Sequence, residues 1–122
     1  MNEFGAPSNP SFRAAAGTRL AEVAIAAVAK VSLPAMRCGS RGGRRVAFAR
    51  QMAMYLAHVG FGLSLTRVGI GFGRDRTTVR HACALIEDRR DDLGLECGLN
   101  ALEAALLALM SRLERQAGEV CR

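Results

Sequence analysis

Eleven consecutive residues, Gly73-Arg74-Asp75-Arg76-Thr77-Thr78-Val79-Arg80-His81-Ala82-Cys83, hold most of the chemistry this sequence offers. They set a glycine turn, three arginines, an aspartate and two threonines at the start of an amphipathic helix. A guanidinium grips phosphate or the paired acceptors of a guanine edge, and threonine bonds a base edge or packs on a thymine methyl. The amides at a helix start attract phosphate as well. Such a cluster suits the edge of a nucleic-acid groove better than a core. No Ser/His/Asp or Cys/His arrangement, carboxylate pair or metal-ligand spacing competes with it, so no enzyme, metal or cofactor is expected. There is no Gly-x-x-x-x-Gly-Lys-Ser/Thr phosphate loop either, and the one lysine, Lys30, is read inside the first helix.

Charge is distributed to match. All but one of the seventeen basic residues are arginine, and the net charge is +6. Residues 37–80 carry nine arginines against the single acid Asp75, a net +8, while residues 81–122 come to −3 and residues 1–36 to +1. One strongly positive half is the electrostatic footprint of a phosphate binder. Four cysteines, Cys38, Cys83, Cys97 and Cys121, lie far apart without a Cys-x-x-Cys pair, which disfavours zinc and a disulfide framework. No signal peptide is visible in the first residues, and charged side chains are read as breaking every apolar run before it reaches membrane-spanning length. A cytoplasmic, nucleoid-associated protein is expected, with no membrane and no nucleotide as partner.

These residues need elements to hold them, and the composition calls for helices: half the residues are hydrophobic, dominated by alanine and leucine with few β-branched runs. Residues 1–17 read as a flexible tail. Thr18 is a plausible N-cap for a first helix to about Val31, with Leu20, Val23, Ala27 and Val31 as its apolar stripe. Ser32-Leu33-Pro34 caps a short second helix, and Gly39 to Gly43 form a basic loop. A third helix is predicted from about Arg44 to Val59, stopped by Gly60 and Gly62. Ser64 caps a fourth, in which Leu65, Val68 and Ile70 point inward. After the turn Gly71-Phe72-Gly73, a fifth helix runs to about Arg89, burying Val79, Cys83 and Ile86. A last helix covers roughly Leu99 to Gln116, with a seam of Leu99, Leu102, Leu106, Leu109 and Leu113 packing on the domain or on a partner. The acidic and basic run Glu87 to Asp92 reads as a solvated helix end. The expected fold is all-α, about six helices, with the fourth and fifth as a helix-turn-helix; the domain is drawn at 18–95 and the C-terminal helix at 96–122. With Val79, Cys83 and Ile86 inside, Arg76, Thr77, Arg80 and His81 lie on or near the outer face, although for His81 a structural role at the helix surface or against the core is the simpler reading than base contact.

The ordered series Ala49-Arg50-Gln51-Met52-Ala53-Met54-Tyr55-Leu56-Ala57, Ser64-Leu65, Phe72-Gly73-Arg74-Asp75, Thr77-Thr78-Val79, His81-Ala82-Cys83 and Ile86-Glu87 resembles the C-terminal DNA-binding domain of the bacterial replication initiator DnaA, over roughly residues 20–90. The resemblance implies a helical domain whose helix-turn-helix reads double-stranded DNA through the major groove. A basic loop before the third helix would send an arginine to the minor groove. It implies base or neighbouring backbone contacts for Asp75, Thr77 and Thr78, a phosphate-facing helix start at Arg50 and Gln51, and Leu65 beside the DNA. This chain departs from the family pattern at four places. One glycine, Gly73, stands where two are common; Arg76 replaces a histidine; Thr66 replaces a proline; and Gly42 aligns with the minor-groove arginine, leaving Arg41 or Arg44 as substitutes.

The DNA-binding set expected from residues and resemblance together is Arg41, Arg44, Arg45, Arg50, Gln51, Leu65, Thr66, Arg74, Asp75, Arg76, Thr77, Thr78 and Arg80. The initiator's ATPase module finds no room here. The expectation is a regulator of replication initiation or transcription that binds initiator-box-like sites. The alternative is an adapter that contacts the initiator or one of its regulatory proteins.

Overall fold

The computed structural model describes residues 10–38 and 43–120, which are helical with no strand among the described residues. Six α-helices follow in order: α1 (Pro10–Ala29), α2 (Leu33–Arg37), α3 (Gly43–Tyr55), α4 (Leu65–Phe72), α5 (Arg76–Arg89) and α6 (Leu93–Val120), with a π-turn at Leu56–Gly60 continuing α3. This agrees with the all-α, six-helix expectation. Three side chains fix helix starts where the sequence placed them. The Ala35 N–H donates to Ser32 Oγ at 3.2 Å, the Arg67 N–H to Ser64 Oγ at 3.1 Å, and the Thr78 N–H to Asp75 Oδ1 at 2.9 Å. Each cap satisfies an amide that the helix itself leaves without an acceptor.

The core gathers Ile25 from α1, Met36 from α2, Met54 and Tyr55 from α3, Val68 from α4, Val79 and Ile86 from α5, and Leu99 and Met110 from α6, all fully buried. Val79, Cys83 and Ile86 face inward as predicted. Several expectations are corrected. First, α1 starts at Pro10, so residues 10–17 belong to a helix and not to a tail. Thr18 lies inside it, as its ninth residue, with its hydroxyl donating to the Ala14 carbonyl at 2.8 Å, a bond along the helix and not a cap.

Second, the buried face of α1 is Thr18, Ala21, Glu22, Ile25 and Ala26, while Val23 is 46% exposed. The larger apolar residues misled the pattern because alanine marks no face, and the two polar residues on the inner face are both bonded. Glu22 accepts from Arg19 Nη1 at 2.6 Å and from Arg37 Nε and Nη2 at 3.1 and 3.0 Å. Lys30 stands just beyond the end of α1 in the left-handed region, φ 58°, instead of within it. Third, Ile70 on α4 points outward at 75% exposure.

Fourth, α6 begins at Leu93 and its inner seam shifts from Leu109 to Met110, which is fully buried while Leu109 is 41% exposed. The helix leans on α1 and the π-turn, and Arg13 Nη1 pairs with Glu114 at 3.2 Å. Its stretch 93–118 is long and apolar enough to cross a membrane by length and composition, with a mean hydropathy of 1.5 over an eighteen-residue window, contrary to the expected interruption by charge. Only Glu96 and Glu103 fall among its first eighteen residues. The run Glu87 to Asp92 is likewise more than a solvated end. Tyr55 donates to Glu87 Oε2 at 2.6 Å and accepts from Arg90 Nη1 at 2.8 Å, and Arg90 goes on to bond Glu96 and Asn100. That network ties α3, α5 and α6 together.

Candidate nucleic-acid interface

The reading helix is aimed by the turn before it. Gly73 adopts φ 69°, the left-handed conformation that a side chain disfavours, and closes α4. The Arg74 N–H then reaches back to the Gly69 carbonyl at 2.8 Å, and the Gly73 N–H reaches Ile70 at 3.3 Å. A Cβ on Gly69 would lie 2.5 Å from the Arg74 carbonyl oxygen, so the backbone of α4 touches the turn directly. One glycine in the turn is therefore sufficient to close it when a second sits four residues earlier in the helix. Asp75 follows as the N-cap of α5, its carboxylate oxygen occupied by the Thr78 amide.

Beyond that cap, α5 divides cleanly. Val79, Ala82, Cys83 and Ile86 are buried, whereas Arg76, Thr77, Thr78, Arg80 and His81 are exposed. The side chains of Arg76, Thr77, Arg80 and His81 make no bond among the described residues. Of the two places expected for His81, the structure gives the helix surface. It borders a cleft of about 390 Å³ between α3 and α5, lined also by Gln51, Arg74 and Thr78. On α4, Leu65 is half-buried, and Thr66 and Arg67 are exposed next to the motif's first cap.

The arginines of the basic segment fall into two groups. Arg50 is 9% exposed and turns inward: Nε donates to the Met36 carbonyl at 2.8 Å, and Nη2 to Cys38 at 2.9 Å and Ala35 at 3.3 Å. Burial, and then the neighbouring Arg74 charge, pull its guanidinium below the usual arginine range. Arg74 Nη2 also donates to the Cys38 carbonyl, at 3.2 Å. Arg45 caps α1 through the Ala29 and Lys30 carbonyls at 2.6 and 3.2 Å, and Arg37 holds Glu22. These four neutralise helix C-terminal carbonyls or a carboxylate, where a cation is favoured. By contrast, Arg44, Arg67, Arg76 and Arg80 are exposed and their side chains have no partner among the described residues. Arg41 lies outside the described residues.

The structure thus brings Gln51, Arg74, Thr78 and His81 to one cleft between α3 and α5, while Asp75, Arg76, Thr77 and Arg80 are exposed on the start of α5. Arg45 and Arg50 are spent on the protein's own backbone. Arg67 was not among the residues singled out from sequence; its place one turn into a capped helix beside the reading helix was the available signal.

A family model described as "Bacterial dnaA protein helix-turn-helix" matches residues 22–86, from the middle of α1 to the end of the α5 core face. Among curated proteins, the "Chromosomal replication initiator protein DnaA 1" of Protochlamydia amoebophila is 40% identical over 65 residues, covering 53% of this chain and 14% of that protein. The "Chromosomal replication initiator protein DnaA" of Lactococcus lactis subsp. cremoris is 36% identical over 67 residues, 53% of this chain and 15% of its own length. "Chromosomal replication initiator protein DnaA 2" of Chlamydia trachomatis is 38% identical over 65 residues, 53% and 14%. The chain spans about a seventh of the length of these curated relatives, and α6 lies beyond the family match.

Proposed function

The chain belongs to the bacterial DnaA helix-turn-helix family, and we propose that it binds double-stranded DNA with α5 as the reader in the major groove. The observation that carries this reading is the exposed, unengaged row Arg76, Thr77 and Arg80 on the first turns of a helix whose opposite face is fully buried. In this reading Arg76 and Thr77 contact base edges, and Thr78 and the α5 amides receive a phosphate. Arg44, Arg67 and Arg80 neutralise the backbone on either side. Asp75 holds the helix start and leaves its second carboxylate oxygen for a base donor. The sites read are those resembling the initiator's boxes, and occupying them modulates replication initiation or a promoter.

The test is an anisotropy titration against a labelled duplex carrying an initiator box and a scrambled duplex of the same composition. A preference of at least about tenfold for the box is expected, lost in the Arg76→Ala/Thr77→Ala double variant. Equal affinity for both duplexes would overturn sequence reading. Binding that ignores salt would overturn phosphate contact itself.

A further inference from the structure

Asp75 and Arg76 are neighbours in sequence and both are exposed, yet they form no ion pair with each other among the described residues. The carboxylate is held at one oxygen: Oδ1 accepts from the Thr78 N–H at 2.9 Å. Its Oδ2 has no partner among the described residues, and neither has the Arg76 guanidinium. The backbone that carries the two is fixed on both sides. Gly73 turns in the left-handed conformation before them, and Val79, fully buried, pins the first turn of α5 after them.

An acid beside a cation limits what that cation can face. A phosphate brought to Arg76 also approaches the Asp75 carboxylate, like charge against like charge, whereas Arg44, Arg67 and Arg80 have no acid next to them in sequence. A base edge suits the pair better. In the major groove a G·C pair shows two acceptors on guanine, N7 and O6, and a donor on cytosine N4. Arg76 supplies two donors in one plane, and Asp75 Oδ2 supplies the acceptor. An A·T pair shows acceptor, donor, acceptor, which sets adenine N6 against the guanidinium and thymine O4 against the carboxylate. The Thr77 hydroxyl both donates and accepts, so it discriminates less.

We propose that Arg76 and Asp75 together select one G·C base pair in the target, Arg76 on guanine N7 and O6 and Asp75 on cytosine N4. A guanine is thereby required at one position of the site. The inference rests on α5 reading the major groove and goes beyond that reading by assigning a base to a residue.

Affinity selection from duplexes with a randomised stretch, followed by titration of the selected duplex with each base pair at every position, tests it. The expected site has one position where G·C is favoured about tenfold or more over every other pair. In Arg76→Gln that position alone should lose guanine, because one donor and one acceptor no longer match two acceptors. Adding Asp75→Asn, which keeps the helix cap and offers thymine O4 a donor, should turn the position to adenine. Helical content should be unchanged in both variants by circular dichroism, since both side chains are exposed. A selected site without such a guanine, or one that Arg76→Gln leaves unchanged at every position, would overturn the inference and leave α5 as the reader. Equal weakening over all base pairs in Arg76→Gln would place Arg76 on phosphate and overturn it as well. No selected sequence at all would overturn sequence reading by α5, and this inference with it.

Discussion

Arg50 and Arg74 share one acceptor, the carbonyl oxygen of Cys38, at 2.9 and 3.2 Å. The first arginine comes from α3 and the second from the turn that launches the reading helix. Their common anchor is the C-terminal end of α2, where helix carbonyls lack partners. The segment that precedes Gly39 is thereby fastened to the residue that precedes Asp75. Two charged groups placed side by side repel, and the carbonyl dipoles of Ala35, Met36 and Cys38 offset that cost.

Arg50→Met should therefore cost stability first. It removes three charge-assisted bonds and leaves the α2 carbonyls under-satisfied, so a loss of about 2–3 kcal/mol is expected in urea denaturation. Arg50→Lys should recover little of it, because an ammonium cannot span the same acceptors in a fixed plane. A neutral result for Arg50→Met would show that the carbonyls are as well served by solvent.

The salt dependence of DNA binding should follow the unengaged arginines and not the net charge. Four described arginines of the basic segment are unengaged, Arg44, Arg67, Arg76 and Arg80. Each phosphate contact contributes a slope of about −0.9, so with Arg44, Arg67 and Arg80 on phosphates and Arg76 on bases, log K against log salt should fall with a slope of about −3. Arg80→Ala should flatten it by about one.

Gly69→Ala should be more damaging than its exchange of one hydrogen for a methyl suggests. The new carbon would meet the Arg74 carbonyl at 2.5 Å, and the backbone must part to admit it. A loss of about 1–3 kcal/mol in thermal or urea unfolding is expected, together with weaker DNA binding as α5 is re-aimed.

Glu22 gives the chain an acid-sensitive contact. Burial on its own would raise this carboxyl, but the hydrogen bonds and charges of Arg37 and Arg19 outweigh it and hold the group below its ordinary value. A carboxylate depressed in the folded state stabilises above its unfolded value, about 4.3, and that contribution is lost as pH falls through the lower folded value. Glu22→Gln should be less stable than the parent by about 1–3 kcal/mol at neutral pH, with the gap closing towards about pH 3 in paired urea titrations.

The reading helix was legible because its signals agree: a glycine turn, an aspartate three residues before the amide it caps, and Val79, Cys83 and Ile86 on one face. Family motifs covered the same stretch. The phase of α1 was not legible, since eight of its twenty residues are alanine, found on both its buried and its exposed side, and the inward Glu22 is paired through a distant Arg37. Nor could the fate of the arginines be read. Arg50 and Arg76 are the same residue type in the same basic segment, and only the position of the α2 carbonyls separates the one that holds the fold from the one that faces outward. The long Tyr55–Arg90–Glu96 network was hidden for a similar reason, because each partner alone looks like an ordinary surface charge or core aromatic.

The π-turn at Leu56–Gly60 is where this fold keeps a spare residue. Its wider loop of backbone, closed by the Phe61 N–H on the Leu56 carbonyl at 3.1 Å, delivers Phe61 against Gly17 of α1 and lets His58 Nδ1 donate to the Leu63 carbonyl at 2.6 Å. A chain one residue shorter here would run on as plain α-helix and swing Phe61 by about 100° away from α1. In aligning this chain with a relative one residue shorter in that stretch, the gap therefore belongs inside the helix and not in the loop that follows it.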